Sequence, residues 1–215
     1  MNYHAAKAPA TDPRIGYFDE LAPRWDAEGP DPAGTIRRLE ELRTRLGLPA
    51  GADLLELGCG TGQITGWLAA RVRPGRVVAA DFSPAMLRQA RGRGGADEYW
   101  DLDICAPPPA ARRFGVIFCF HAYPHFRDQK AALRHCALML EPRGLLIILH
   151  LSGSAALNAF HHRLNGPVNH DFLPEAGAWD GLLREAGLAL EWLEDRDDLF
   201  LLKARRSEKP ANAGD

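Results

Sequence analysis

Three glycines at alternate positions between a predicted strand and a predicted helix are the clearest chemical signal in the sequence. They are Gly58, Gly60 and Gly62, and they follow the apolar run 54–57. A side chain at these positions would block close approach of a ligand to the backbone and would restrict the positive φ values that such a turn needs. In open α/β sheets, ligands bind beyond the carboxyl ends of the strands, where this loop lies. The loop is therefore predicted to bind a ligand.

Three interpretations of this loop compete: a Walker loop, a dinucleotide fingerprint and a tight turn without a ligand. A Walker loop needs Gly-Lys-Ser/Thr, which is absent here, and the dinucleotide fingerprint needs its third glycine one residue after Gly62. A turn alone does not demand three glycines. The next predicted strand ends at Asp81, nineteen residues after Gly62, where a carboxylate can accept hydrogen bonds from both hydroxyls of a ribose. The pattern favours a ligand that contains a ribose.

Histidines form the second chemical signal, because seven of the eight lie between residues 121 and 170. His121, His125 and His150 follow the fourth and fifth predicted strands. The carboxyl ends of parallel strands meet at one edge of a sheet, and ligands bind at that edge. These three histidines are therefore expected near the bound ligand.

The stretch 151–174 is too polar and irregular for a strand and too long for a plain connection, which is typical of lids and binding loops. His161 and His162 lie three and four residues after Asn158, so a short helix there presents at least two of the three together. His170 follows just before the end of the stretch. This segment is predicted to be an insertion that covers the substrate.

Three interpretations of the histidines remain open. The first is a substrate pocket in which a histidine acts as general base, since its unperturbed pKa suits proton removal near pH 7. The second is a metal site completed by Asp171. The third is a set of histidines scattered on a polar loop. Because no fixed spacing such as H-E-x-x-H occurs, no metal ligand is predicted. The predicted catalytic residues are His121, His161 and His162, and the predicted substrate-binding residues are His125, His150, Asn158 and His170.

Short apolar runs alternate with segments of helical periodicity, and this alternation predicts the elements that position both sets of residues. Strands are predicted at 53–57, 76–80, 98–102, 115–120 and 145–149, with two closely spaced strands near the end at 188–193 and 199–204. Continuous apolar strands that alternate with helices indicate a parallel sheet covered on both faces. The predicted fold is α/β and doubly wound, with seven strands that are mostly parallel and an antiparallel C-terminal hairpin strand.

Composition bounds the class of protein. The chain has 215 residues, 46% of them hydrophobic, which excludes a largely disordered protein and favours one domain over residues 1–215. A formal net charge of −2 gives no support to binding of nucleic acid or membrane through net charge. No apolar run reaches the 18 residues of a membrane span, and the four cysteines are far apart. A cytoplasmic protein with reduced thiols is expected.

The glycine loop and the residues after the second strand carry a family resemblance. Glu56-Leu-Gly-Cys-Gly-Thr-Gly62 followed by Asp81-Phe-Ser-Pro84 resembles the class I S-adenosylmethionine-dependent methyltransferases. The resemblance implies a Rossmann-like fold, S-adenosylmethionine as cofactor and a helical cap at 1–48, where Tyr17 to Trp25 supply an aromatic cluster that is also typical of a core. It implies cofactor contacts at Glu56, Gly58, Gly60, Gly62, Asp81, Phe82, Asp103, Ile104 and Phe120.

Within that resemblance the residues have different expected roles. Phe82 and Ile104 would lie against the adenine, and Asp103 would bind its amino group, with Asp101 as the competing carboxylate. Phe120 would lie beside the sulfonium. Glu56 has a second interpretation, in which it caps the loop by accepting backbone N–H groups. The resemblance departs from the family pattern at Phe114-Gly115 and at Glu141-Pro-Arg-Gly144, away from the glycine loop.

The resemblance implies transfer of a methyl group to an O, N or S atom of a small molecule. Nucleic-acid methyltransferases often carry an Asn/Asp-Pro-Pro-Tyr/Phe tetrapeptide, whereas this chain has Phe120-His-Ala-Tyr123, so a nucleic-acid substrate is disfavoured. The alternatives are a protein that binds S-adenosylmethionine without transferring methyl groups, a metal-assisted enzyme that uses the histidine segment, and a nicotinamide-dependent oxidoreductase. The early third glycine disfavours the last of these.

Overall fold

The computed structural model describes residues 12–29, 31–108 and 112–207. The chain divides into two compact units, one up to Asp103 and one from Ile104 onward. The predicted cap at 1–48 belongs to the first unit, and its residues 1–11 and residue 30 lie outside the described part. The predicted insertion at 151–174 belongs to the second unit.

The described part of the first unit contains five α-helices and a small parallel sheet. In chain order, its elements are α1 (Pro13–Leu21), α2 (Trp25–Glu28), α3 (Pro32–Leu46), β1 (Leu54–Leu57), α4 (Thr65–Val72), β2 (Val77–Asp81), α5 (Pro84–Arg93) and β3 (Glu98–Asp101). The predicted start of α5 is confirmed: Ser83 is its N-cap and accepts the Met86 N–H at 3.1 Å, and Pro84 is its first residue. Proline suits that position because a backbone N–H at the start of a helix has no partner within the helix, so its absence costs nothing.

The strands of the first unit lie in the order β3–β2–β1, and both neighbouring pairs are parallel. Leu57 of β1 pairs with Ala80 of β2, and Asp81 pairs with Asp101 of β3. All residues of β1 and β2 are buried, which agrees with sequences that are apolar apart from Glu56 and Asp81. This register brings the carboxyl ends of the three strands to the same edge.

The second unit contains the remaining strands. Its elements are β4 (Phe114–Phe120), α6 (Gln129–Met139), β5 (Leu140–His150), α7 (Ser154–Arg163), α8 (Trp179–Glu185), β6 (Leu188–Arg196) and β7 (Leu199–Arg206). The strands lie in the order β4–β5–β7–β6, with β5 parallel to β4, and β7 antiparallel to both β5 and β6. The described residues thus form seven strands, as predicted, and the mostly parallel α/β fold with an antiparallel strand near the C-terminus is confirmed.

The start of β5 in the second unit differs from the sequence interpretation. β5 begins at Leu140, five residues before its predicted start, and passes through Pro142 and a left-handed Arg143 with φ of 60°. Its pairing with β4 is irregular between Phe114 and Val116, which accommodates the extra residues. The predicted insertion at 151–174 contains a ten-residue helix, α7, in which Asn158, His161 and His162 lie as expected.

Candidate active site

The glycine loop continues directly from β1 in a left-handed backbone conformation. Gly58, Gly60 and Gly62 have φ values of 68°, 54° and 79°, which side chains other than glycine rarely adopt. A Cβ on Gly62 would lie 3.2 Å from the Cα of Ala90, so this glycine allows the loop to pack against α5. At Gly60 the nearest atom to such a Cβ is Trp25 Nε1, at 4.0 Å. Gly60 is therefore the position where the backbone has room for a ligand.

Asp81 is bound to the loop through its carboxylate. Its Oδ2 accepts the Gly60 N–H at 2.8 Å, and its Oδ1 accepts the Ser83 N–H at 2.9 Å. Burial raises the pKa of Asp81 to about 6, and the backbone hydrogen bonds from Ser83 and Gly60 oppose that rise. Since each carboxylate oxygen has two acceptor positions, the ribose role predicted for Asp81 is compatible with these bonds. The cradle at Gly60 and the carboxylate beside it fit the ribose part of S-adenosylmethionine.

Glu56 is a buried residue of β1 and has a hydroxyl as its partner. It is 1% exposed, and its Oε2 accepts the hydroxyl of Thr65 at 2.6 Å. Burial raises the pKa of Glu56 to about 8, and the charge of nearby Asp81 adds to the rise. Near pH 7 Glu56 is therefore mostly protonated. It connects β1 to the first residue of α4, an arrangement that differs from a cap made of backbone N–H groups.

The remaining predicted cofactor residues lie near the carboxyl ends of the strands. Phe82 directly follows β2, and its ring packs edge-on against Phe18 of α1 at 5.8 Å between centroids. Asp103 is 4% exposed and lies two residues beyond the pairing partner of Asp81. Ile104 and Phe120 belong to the second unit, where Ile104 is buried and Phe120 is the half-buried last residue of β4. Their predicted contacts with the cofactor stay predictions.

Two carboxylates that sequence reasoning missed attach the N-terminal helices to the start of α5 and to the glycine loop. Asp19 of α1 accepts the Ser83 hydroxyl at 2.6 Å and the Ala85 N–H at 2.9 Å. Asp26 of α2 accepts the Thr61 hydroxyl at 2.6 Å and the amide of Gln63 at 2.8 Å. The sequence singled out this segment for its aromatic residues, and no spacing rule connects Asp19 or Asp26 to a loop more than 30 residues away.

Four histidines of the second unit lie close together, on four different elements. His121 follows β4, His125 ends a short 3-10 turn, His150 ends β5, and His161 lies on α7. The ring centroids of His121 and His150 are 5.1 Å apart, as are those of His125 and His161. We call these residues the histidine cluster. The sequence placed three of them at one edge of the sheet, and His161 joins them through α7.

Asp171 connects two members of the histidine cluster. Its Oδ2 lies 2.9 Å from His125 Nδ1, and its backbone carbonyl oxygen accepts a hydrogen bond from His161 Nδ1. The segment that carries Asp171 is attached to α7 by Asn158, whose amide donates to the Leu173 carbonyl at 3.0 Å and accepts the Leu173 N–H at 2.9 Å. Asn158 therefore helps to hold Asp171 beside His125 and His161. Substrate contact by Asn158 stays a prediction.

His162 and His170 do not join the histidine cluster. Both are exposed, and their rings lie 6.4 Å and 6.1 Å from that of Phe172. The structure thus brings together only one of the two histidines of α7, because successive residues of a helix point in different directions. The roles predicted for His162 and His170 are not tested by this placement. His135, which is not a predicted site residue, lies outside the cluster with its Nδ1 2.8 Å from the Ile104 carbonyl oxygen.

Three members of the histidine cluster, His121, His150 and His161, are electrically neutral near pH 7. Burial lowers the pKa of His121 to about 4 and lowers that of His150 well below its ordinary value, and neighbouring histidines add to both effects. Burial also lowers the pKa of His161. These imidazoles therefore act as hydrogen-bond donors and acceptors. Among the residues that the structure describes, no group of three or more His, Cys, Asp or Glu side chains is arranged to hold a metal ion.

Known proteins identify the family. A profile described as a methyltransferase domain matches residues 55–148. A ubiquinone biosynthesis O-methyltransferase of Xanthomonas euvesicatoria pv. vesicatoria (strain 85-10) is 33% identical over 214 residues, which cover 88% of this chain and 86% of that protein. The chain belongs to the S-adenosylmethionine-dependent methyltransferases. This methyltransferase uses S-adenosylmethionine to transfer a methyl group to an O, N or S atom of a small molecule.

Solved structures share the fold of this methyltransferase. A chain from the complex between the Haloferax volcanii Trm112 methyltransferase activator and a methyltransferase aligns with a TM-score of 0.70 and 17% identity, covering 89% of this chain and 98% of that one. The DhpI–SAH complex aligns with a TM-score of 0.69 and 22% identity, covering 91% and 96%. None of the helices within residues 12–29, 31–108 and 112–207 has the length and apolar character that crossing a membrane requires.

Proposed function

We propose that this methyltransferase methylates the oxygen of a ring hydroxyl on a small aromatic molecule. The choice of oxygen is supported by the relative named as an O-methyltransferase, which matches most of both chains. An aromatic acceptor is supported by the rings that surround the histidine cluster. Phe120 lies 4.2 Å from His121, and Phe160, which is 49% exposed, lies 5.7 Å from His161.

The first unit carries the groups proposed to bind the cofactor. S-adenosylmethionine supplies an electrophilic methyl carbon on a positively charged sulfur. Gly60 presents its backbone without a side chain, Asp81 accepts hydrogen bonds from the ribose hydroxyls, and Asp103 accepts one from the adenine amino group. Glu56 supports the loop through Thr65. Asp19 holds α1 on the start of α5 and Asp26 holds α2 on the glycine loop, so we propose that these helices cap the cofactor.

The second unit carries the groups proposed to bind the methyl acceptor. The protein's task is to align the hydroxyl oxygen with the methyl carbon and to exclude water, since orientation alone contributes a large part of such rate enhancements. The cluster of His121, His125, His150 and His161 contacts the acceptor hydroxyl, and the 151–174 segment covers it. We propose a cytoplasmic enzyme that acts on a small molecule rather than on nucleic acid.

The observation that carries the proposal is the pair of neighbouring neutral imidazoles of His121 and His150, whose ring centroids are 5.1 Å apart. A hydroxyl must lose its proton as the new oxygen–carbon bond forms, and a neutral imidazole can receive that proton. A cluster of imidazolium ions would instead repel a positively charged cofactor. Burial, which lowers the pKa of His121 and His150, keeps these two imidazoles in the neutral form near pH 7.

The proposal is tested with purified protein, S-adenosylmethionine carrying an isotope-labelled methyl group, and three acceptors of similar size. Catechol, benzylamine and benzenethiol offer oxygen, nitrogen and sulfur, and mass spectrometry identifies the methylated atom. We expect labelled 2-methoxyphenol as the main product. Preferred methylation of benzylamine or benzenethiol, or no methylation of catechol, would refute the assignment to a ring hydroxyl.

A further inference from the structure

Hydrogen bonds determine which ring nitrogen carries the proton in three members of the histidine cluster. The Leu151 N–H donates to His121 Nε2 at 3.3 Å, so this nitrogen is unprotonated and the neutral ring carries its proton on Nδ1. His161 Nδ1 faces the backbone carbonyl of Asp171, which can only accept, so Nδ1 carries the proton. The Asp171 carboxylate imposes the same tautomer on His125. Each of these rings is thereby held in one tautomer.

His150 is the exception. It is 1% exposed, and neither of its ring nitrogens has a hydrogen-bond partner among the described residues. The rings around it are His121, at 5.1 Å and nearly perpendicular, and Phe200, at 6.1 Å. Buried polar atoms in native proteins are nearly always paired, and leaving one unpaired is costly. A neutral imidazole needs one donor and one acceptor as partners, and a hydroxyl can donate its hydrogen bond to the unprotonated nitrogen.

We propose that His150 binds the reacting hydroxyl of the methyl acceptor and receives its proton during methyl transfer. The inference rests on the proposed function and adds the residue that performs the acid–base step. As the acceptor oxygen forms its bond to the methyl carbon, the carbon–sulfur bond breaks and its electron pair remains on sulfur. The hydroxyl proton moves to the unprotonated nitrogen of His150, and the resulting imidazolium releases it to water. Charge balances, because one cation is consumed and one is formed.

His121 is less suited to this step, although it lies beside His150 and was predicted to be catalytic. Its Nε2 already accepts the Leu151 N–H, and its Nδ1 carries the proton of the neutral ring. His121 can therefore donate a hydrogen bond to a ligand, but it can receive a proton only by losing its bond to Leu151. The structure assigns His121 a positioning role and His150 the catalytic one.

The first test uses binding and needs no turnover. Protein labelled with 15N and 13C in its histidine rings is titrated with catechol in the absence of cofactor, and the ring nitrogens are followed by NMR. Assignment through the labelled ring carbons requires no variant. We expect the His150 nitrogens to shift on binding, and those of His135, outside the cluster, to stay in place. Unchanged His150 resonances with catechol bound would overturn the inference, and would indicate that water or another group satisfies this ring.

The second test compares His150→Gln with His135→Gln as a matched control. Glutamine retains hydrogen-bonding groups but cannot take up the proton, so we expect kcat for catechol to fall 10²- to 10⁴-fold, the usual contribution of acid–base catalysis. Affinity for S-adenosylhomocysteine, measured by calorimetry, is expected to be unchanged, which also shows that the variant is folded. Turnover at the wild-type rate in His150→Gln would overturn the inference while leaving the proposed function intact. If wild-type protein does not methylate catechol, both fail. If His150→Gln does not fold, the NMR titration of the wild-type protein decides.

Discussion

Replacing Asp81 by asparagine is expected to weaken cofactor binding in a way that depends on pH. The change keeps the shape of the side chain and removes its charge. The structure shows two backbone N–H groups, of Gly60 and Ser83, bound to the two carboxylate oxygens, and asparagine offers an oxygen to only one of them. The ribose hydroxyls would also lose a charged acceptor, and hydrogen bonds to charged groups contribute about 1.5–3 kcal/mol. We therefore expect the Kd for S-adenosylmethionine to rise roughly 10- to 150-fold at pH 7.5.

The pH dependence follows from the pKa of Asp81, which burial raises to about 6. Ribose hydroxyls donate to the ionised carboxylate, so cofactor binding favours the ionised form. Affinity in the wild-type protein is therefore expected to be constant above pH 7 and to fall by up to about tenfold per pH unit below 6. Asp81→Asn has no such group, so its affinity is expected to lack this dependence. Glu56 does not interfere between pH 5 and 7, because its pKa is about 8 and it stays mostly protonated there.

Calorimetric titration with S-adenosylmethionine at pH 5.5, 6.5 and 7.5 measures both effects. Asp97→Asn is the matched control: Asp97 accepts the Val77 N–H at 2.8 Å, at the start of the strand that Asp81 ends. Like Asp81→Asn, the Asp97→Asn variant loses a hydrogen bond between a carboxylate and a backbone N–H, but this bond lies away from the glycine loop. Equal loss of affinity in both variants, or the same pH profile in Asp81→Asn and wild type, would refute the role assigned to Asp81.

Two further predictions concern the same loop. Gly60→Val is expected to abolish S-adenosylmethionine binding while circular dichroism retains the wild-type helix signal. The reason is that Gly60 has a φ of 54° and that the space beside it is available to a ligand. Normal binding by this variant would contradict the proposal that the cofactor lies against Gly60. Burial raises the pKa of Glu56 to about 8, so its contribution to stability is present at low pH and is lost as the pH rises towards and through 8. Urea unfolding should therefore show wild-type protein losing about 2–3 kcal/mol more than Glu56→Gln between pH 6 and 9, and equal losses would contradict a protonated Glu56.

The glycine loop and the start of α5 are predictable because their signals are local in sequence. The glycine loop lies between β1 and α4, and three left-handed residues within five positions leave few alternatives to glycine. Ser83 and Pro84 determine the start of α5 through a hydrogen bond and a fixed φ, both within four residues. Asp81 is positioned by being the last residue of a buried strand. Such features depend on neighbouring residues and on the period of the strand, so the sequence contains them directly.

The acceptor half depends on contacts that no local pattern contains. His161 meets His125 because Asp171 contacts both, one through its carboxylate and the other through its backbone carbonyl. Asn158 of α7 fixes the position of the segment that carries Asp171, because its amide forms two hydrogen bonds with the backbone of Leu173, fifteen residues later. A backbone carbonyl is common to every residue type, so the sequence cannot mark which one will orient a histidine. The sequence therefore identifies where histidines are concentrated, whereas the tautomers that separate a positioning histidine from a proton-accepting one follow only from these long-range hydrogen bonds.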